Sequence, residues 1–115
     1  MKINIQGKEI ELFYTMRMFI VYENITGDSV DFENMKSLKQ ISTLFLACII
    51  GSAQKQNIQL DVTYNDYMEW LDENGGYTLL NEYALWLANQ MQAKYELLAK
   101  EKEEKGNKKP KKAKG

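Results

Sequence analysis

Apolar and polar residues alternate from Met1 to Ile5 and again from Glu9 to Tyr14, with Gln6-Gly7-Lys8 between the two stretches. A period of two sends successive side chains to opposite faces of a strand, and glycine supplies the positive φ that a tight turn requires. The pattern predicts a β-hairpin. From Thr15 the spacing becomes helical and ends at Gly27, so Met16–Thr26 reads as a short helix with Thr15 as N-cap and Gly27 as the residue just past its end. That helix is apolar nearly all round. Arg17 and Asn24 form one polar edge, with Glu23 and Thr26 elsewhere. One face must pack on the hairpin and the next helix. Met18, Val21, Tyr22 and Ile25 form another, which is either buried in the domain or left as a contact surface for a second molecule.

After a connector from Asp28 to Phe32, Asn34 is the expected cap of a second helix, Met35 to Lys55. Leu38, Ile41, Phe45, Cys48 and Ile49 share one face, and Leu44, Leu46 and Ile50 widen it, which makes this helix the central core element. Gly51-Ser52-Ala53 near its end either permits close approach of a neighbour or loosens the helix there. Asn57 to Val62 alternates again, with Ile58, Leu60 and Val62 on one side of an extended segment. Thr63 followed by Asp66 is an acidic form of the capping box and opens a third helix, Tyr64 to Glu73, with Tyr67, Trp70 and Leu71 together. Asn74-Gly75-Gly76 ends it.

The last helix is the longest, from Thr78 to Lys105, or ~40 Å at the usual rise. Leu80, Ala84, Leu87, Met91 and Leu98 follow an alternating four- and three-residue spacing, with Lys94 in place of one apolar residue. Its first half packs on the body or pairs with another copy. Gly106 is the expected stop. Residues 106–115 are rich in lysine, hold the only proline, Pro110, and have no large apolar side chain, so a disordered basic tail is expected. The expected fold is therefore mainly α, of the α+β kind: an N-terminal hairpin, about four helices, one domain over residues 1–105, and a tail over 106–115.

Charge sharpens this division. The 115-residue chain has a net charge of −1, but residues 1–99 hold seven basic and thirteen acidic side chains, while residues 100–115 hold eight lysines and three glutamates. The body is acidic and the end basic. There is no histidine and only one cysteine, which removes Ser-His and Cys-His catalytic pairs and zinc sites of the Cys/His type. No glycine-rich phosphate loop is present, because Gly75-Gly76 lacks the following lysine and the preceding strand. No cofactor, metal or catalytic residue is expected, and the chain is read as a non-enzyme. Cys48, inside Leu44–Ile50, reads as a buried thiol in a reducing cytoplasm. That seven-residue apolar run falls far short of the ~20 residues that span a bilayer, and Met1-Lys2 leads into a strand with no apolar signal segment. The eleven per cent aromatics and six methionines suit either an irregular core or an adaptable surface for a helical client.

Three features together carry a likeness: the two-strand opening, a helix start containing Phe13, Tyr14, Arg17 and Phe19, and then Tyr22-Glu23-Asn24-Ile25-Thr26-Gly27. In these the chain resembles the tail assembly chaperones of long-tailed bacteriophages and prophages, in the short form that precedes any frameshifted extension. The likeness is carried by the first half of the chain and extends to the rest in layout. It implies a non-enzymatic protein that binds and solubilises the tape measure protein during tail morphogenesis, with the tail tube protein as a further partner. It also implies action in the host bacterial cytoplasm and absence from the mature virion. A homo-oligomer is expected, with no membrane partner. Five residues are candidates for the client or self-association surface on apolar excess alone: Met18, Tyr22, Ile25, Trp70 and Trp86. The alternatives are a nucleic-acid-associated accessory protein acting through the basic tail, and a structural tail component. The tail lacks arginine and aromatic residues to read or stack bases, so nucleic acid is not the expected partner.

Overall fold

The computed structural model describes the backbone of residues 1–114 and the side chains of residues 1–102. Its elements follow in the order β1 (Lys2–Ile5), β2 (Lys8–Glu11), α1 (Met16–Thr26), a 3-10 turn (Phe32–Asn34), α2 (Leu38–Lys55), α3 (Tyr64–Glu73) and α4 (Tyr77–Lys114). This is the expected hairpin followed by four helices, the last one long. α4 runs past Gly106, where the helix stop was expected, to Lys114; the side chains of residues 103–115, and with them those of the expected basic tail, lie outside the described residues. The chain falls into two units, Met1–Ala84 and Leu85–Gly115.

β1 and β2 pair antiparallel, with Lys2 opposite Glu11 and Ile5 opposite Lys8. The turn is Gln6-Gly7 alone, tighter than the three residues expected. Both residues have positive φ, 52° and 72°, the handedness that matches the twist of the flanking strands. The register puts Ile3 and Ile10 opposite one another on the buried face, while Lys2 and Glu9 form an ion pair on the exposed one at 3.5 Å.

α2 is the central helix. Every residue from Ser42 to Ile49 is buried, as are Gly51, Ser52 and Ala53. It is covered on more than one side: α1 and β2 pack on it, and an aromatic cluster described below packs on Phe45. The buried hydroxyls of Ser42 and Thr43 cost little because both donate to the carbonyl of Lys39. α2 starts later than the Asn34 cap implied. Ser37 accepts from the N–H of Gln40, and the Gln40 side chain in turn accepts from the N–H of Ser37. That reciprocal box satisfies two of the helix's unpaired donors at once, and no such reciprocal partner faces Asn34. Residues 32–34 form the 3-10 turn instead, capped by Asp31. Leu38 becomes the first helical residue and is 53% exposed, outside the core stripe.

The end of α2 also differs from a plain extended exit. Asn57 is left-handed at φ 57°. Its N–H donates to the Gln54 carbonyl and the next N–H, of Ile58, to the Ala53 carbonyl, which is the paired-bond helix stop. Residues 58–62 then form no strand. Ile58, Leu60 and Val62 are half-buried and alternate with exposed Gln59 and Asp61. The side chains of Gln6 and Lys8 donate to the Asp61 and Gln59 carbonyls of this segment.

α3 begins with the expected Thr63–Asp66 capping box. It ends at Gly75-Gly76, where the Gly76 N–H donates to the Leu71 carbonyl at 2.7 Å. Within α4, Leu80, Tyr83 and Leu87 are buried and Met91 is half-buried. Each residue from Gln92 to Lys102 is exposed. No helix among the described residues is long and apolar enough to cross a membrane.

Candidate interaction surfaces

The hairpin is held to α2 by backbone groups that β2 leaves unpaired on its free edge. Gln56 accepts from the Glu11 N–H and donates to the Glu11 carbonyl, at 3.4 and 2.8 Å. One carboxamide thus stands in for a missing strand neighbour. Ser52 Oγ accepts from the Phe13 N–H at 2.9 Å, and the Cys48 thiol lies 3.5 Å from the Phe13 carbonyl. Burial pushes that thiol up to about 11, partly opposed by hydrogen bonds to Ser52 and Tyr83. It is a protonated core group at neutral pH, in keeping with its burial.

Further along the same face of α2, the Phe45 ring stacks on Tyr83 at 4.5 Å and meets Tyr67 edge-on at 6.3 Å; the Trp70 ring lies 5.9 Å away. The Tyr67 hydroxyl donates to the Ser42 carbonyl at 2.6 Å, and the Tyr83 hydroxyl lies 3.4 Å from Met18 Sδ and 3.5 Å from the Leu44 carbonyl. Desolvation raises both phenols above their ordinary range. Trp70 Nε1 donates to the Asn4 carbonyl on the free edge of β1 at 2.7 Å. The aromatics of the first unit therefore bind α3 and the hairpin to the core.

This arrangement corrects the choice of surface on α1. Met18 is fully buried and Tyr22 is 4% exposed, so neither is available to a client. The cause is the close approach of α1 to α2 at Gly51. A methyl group added there would lie 3.1 Å from Arg17 Cβ and the Met18 nitrogen, so the Met18 side of α1 is turned inward. The helix is not buried all round, however. Met16 is 70% and Ile20 52% exposed, one turn apart on the outward face. Half-buried Phe19 lies beside them, packed between Tyr14 at 5.8 Å and Phe32 at 6.0 Å. The sequence pattern separates two apolar faces on α1 but not which one turns out. Gly51 on α2 was the signal, because a glycine inside a core helix marks where a neighbouring backbone comes near.

Of the remaining candidates, Ile25 is 42% exposed and lines an open cleft of about 410 Å³ with Tyr22, Thr26, Asp28, Lys39 and Tyr64. One ammonium, one carboxylate and several hydroxyls line it beside apolar carbon, a mixture suited to polar contact at the edge of an interface. Trp70 is half-buried and engaged with Asn4. Trp86 is half-buried in the second unit. The four candidates of the first unit do not form one surface. Met18 and Tyr22 belong to the core, Trp70 joins α3 to the hairpin, and Ile25 sits at the rim of the cleft. A second, shallower hollow of about 250 Å³ is lined by Ile5, Trp70 and the α3 carboxylates Asp66, Glu69 and Glu73. No group of His, Cys, Asp and Glu among the described residues is placed to hold a metal ion.

No family model matches this chain, and neither any curated protein nor any solved structure matches it.

Proposed function

We propose that the chain is a non-enzymatic assembly chaperone of a long-tailed phage or prophage, which holds an amphipathic helical client soluble until assembly. The observation that carries this reading is the outward face of α1, where Met16 and Ile20 stand exposed beside Phe19, directly ahead of the Tyr22–Gly27 segment that carries the family likeness. A long client helix shows an apolar stripe before it is enclosed. A methionine with three rotatable bonds and a neighbouring aromatic can cover such a stripe without strict shape matching. The tape measure protein is the client this reading names, and the tail tube protein a second partner. The acidic body adds salt-screened attraction to basic client segments.

The test is co-expression with a tape measure protein, followed by pull-down and light scattering. A soluble complex with several copies of this chain per client is the expected result. Met16→Ser with Ile20→Ser should release the client while leaving the melting curve nearly unchanged, because both side chains are already in water. Met18→Ser with Tyr22→Ser should instead destabilise the fold by several kcal/mol, on the scale of large-to-small core changes. A client that stays soluble with the outward-face variant, or precipitates with the unaltered chain, would overturn the assignment.

A further inference from the structure

The cleft beside Ile25 holds polar groups that the fold itself does not use. Gln40 is the most constrained of them. Its side-chain oxygen accepts from the N–H groups of Lys36 and Ser37 and from the Ser37 hydroxyl, at 3.2, 3.3 and 3.0 Å. Three donors on one atom fix which way the carboxamide points, so its Nε2 is left to donate elsewhere. Lys39 lines the same cleft, and among the described residues its ammonium has no ion pair or hydrogen bond. The Tyr64 hydroxyl likewise has no hydrogen-bond partner there. Thr43 and Thr26 differ, because their hydroxyls donate inward to the Lys39 and Tyr22 carbonyls, at 2.7 and 2.9 Å. The one carboxylate of the cleft, Asp28, is also without an ion pair among the described residues. Its backbone N–H is anchored on Thr26 Oγ1 at 3.1 Å.

These groups select the chemistry of a ligand. The free donors, Lys39 Nζ, Gln40 Nε2 and the Tyr64 hydroxyl, call for an anion with more than one acceptor oxygen, which a carboxylate supplies. Asp28 calls for an N–H or ammonium on the same ligand. Ile25 and Tyr64 are 42% and 49% exposed, so apolar carbon at the cleft is left for an apolar side chain to cover. A carboxylate, a nitrogen donor and an apolar side chain within a few bonds of one another describe an α-amino acid residue whose carboxyl group is free. The cleft, about 410 Å³, has room for it, because small-ligand sites run from ~300 to ~1,000 Å³.

We propose that this cleft binds the α-carboxylate of an apolar residue, with Lys39, Gln40 and Tyr64 donating to it and Asp28 accepting from the nitrogen beside it. The last residue of a peptide and a free amino acid both present these groups. The site is separate from the face assigned to the client. Ile25 lies nine residues beyond Met16, which at ~100° per residue puts it halfway round α1 from the Met16 side chain. A failed client pull-down therefore leaves the inference standing.

The test titrates the full chain, labelled with ¹⁵N, with three probes: N-acetyl-glycyl-leucine, its C-terminal amide, and free leucine. The expected result is saturable movement of the Ile25, Asp28, Lys39 and Gln40 amide signals with at least one carboxylate probe, at a Kd of about 1 mM or tighter, and none with the amide. Binding of the acetylated dipeptide but not leucine identifies a peptide end. Tighter binding of leucine, whose ammonium pairs with Asp28, identifies the free amino acid. Lys39→Gln should weaken binding at least about tenfold, the scale of a charge-assisted bond, and Tyr64→Phe about threefold. Both should keep the melting temperature, since both side chains are exposed. Lys36→Gln removes an exposed lysine that does not line the cleft and should change the Kd less than about twofold, as salt screens a distant charge. An amide probe that binds as well as the acid would overturn the proposal. So would signals that stay still up to about 10 mM of both carboxylate probes, or equal losses from Lys39→Gln and Lys36→Gln.

Discussion

Single residues decide how closely the first unit's elements approach. At Gly51 the Cα stands where any side chain would press on backbone atoms of Arg17 and Met18. Glycine costs about 1 kcal/mol in a helix interior, and its presence here is offset by the α1–α2 contact it allows. One turn earlier on α2, Cys48 is closed in by Phe13, Ser52 and Tyr83, and its thiol is held protonated up to about 11 against an ordinary 9.0. The folded chain thus keeps a proton that the unfolded chain gives up first. Stability from this group is fully present below pH 9 and falls as pH rises from there toward 11. Tyr67 and Tyr83, raised by burial too, steepen the loss once the unfolded phenols ionise near pH 10. Urea midpoints measured from pH 7 to 10.5 should hold level to about pH 9 and then decline. Cys48→Ala should flatten the first part of that decline, between pH 9 and 10, while lowering stability throughout. A midpoint that stays level through pH 10, or an unaltered slope in the variant, would place Cys48 in contact with water. The sequence made Cys48 legible as a buried thiol, because its neighbours Leu46, Ala47, Ile49 and Ile50 are apolar. It did not reveal the Phe13 carbonyl beside it, since that contact joins residues 35 positions apart.

At the level of elements, local chemistry set the ends of the helices and tertiary contact set their faces. α1 and α3 begin and end where the pattern places them, because Gly27, the Thr63–Asp66 box and Gly75 act over one turn of chain. Thr15 shows the limit of such reading. It holds the N-cap position, but its hydroxyl makes no capping bond and is buried without a hydrogen-bond partner. α2 shows a competition between two local signals. Asn34 and Ser37 are both good caps, and Ser37 prevails because Gln40 answers it three residues later. The two positions should therefore respond differently to alanine. Ser37→Ala should cost about 1 kcal/mol, the usual worth of a cap. Asn34→Ala should cost under about 0.5 kcal/mol, as an exposed turn residue whose side chain bonds only to Asp31. Denaturant titration of both variants, with equal slopes, is the measurement. Equal losses would mean that the 3-10 turn and α2 unfold as one capped unit. The faces were less legible. Residues 58–62 alternate like a strand, yet their partners are the side chains of Gln6 and Lys8 and not another backbone edge. On α1 two apolar faces were visible, and only the distant Gly51 chose between them.

Across the whole molecule the sequence carries its charge asymmetry openly, and that asymmetry separates the functional readings. If the basic end were a nucleic-acid arm, its lysines would act by releasing counterions from phosphates. The apparent affinity would then fall with salt at a slope near −0.9 for each phosphate neutralised on duplex DNA. Residues 106–115 hold five lysines, which sets an upper slope of about −4.5 for that segment. Opposing it is a body with thirteen acidic side chains in residues 1–99, which repels the same phosphates. With no arginine or aromatic in the segment to stack on or read bases, binding should be weak and indifferent to sequence. At near-physiological salt it should be no tighter than the nonspecific range of about 10⁻⁴ M. A chain ending at Lys105 should lose this residual affinity altogether and still draw the tape measure protein into a soluble complex, because Met16 and Ile20 are untouched. Fluorescence anisotropy with duplex and single-stranded oligonucleotides, run beside the co-expression assay on both chains, reads the two activities separately. Tight, salt-resistant oligonucleotide binding, or a client complex that disappears with the last ten residues, would move the working surface of this protein from α1 to its basic end.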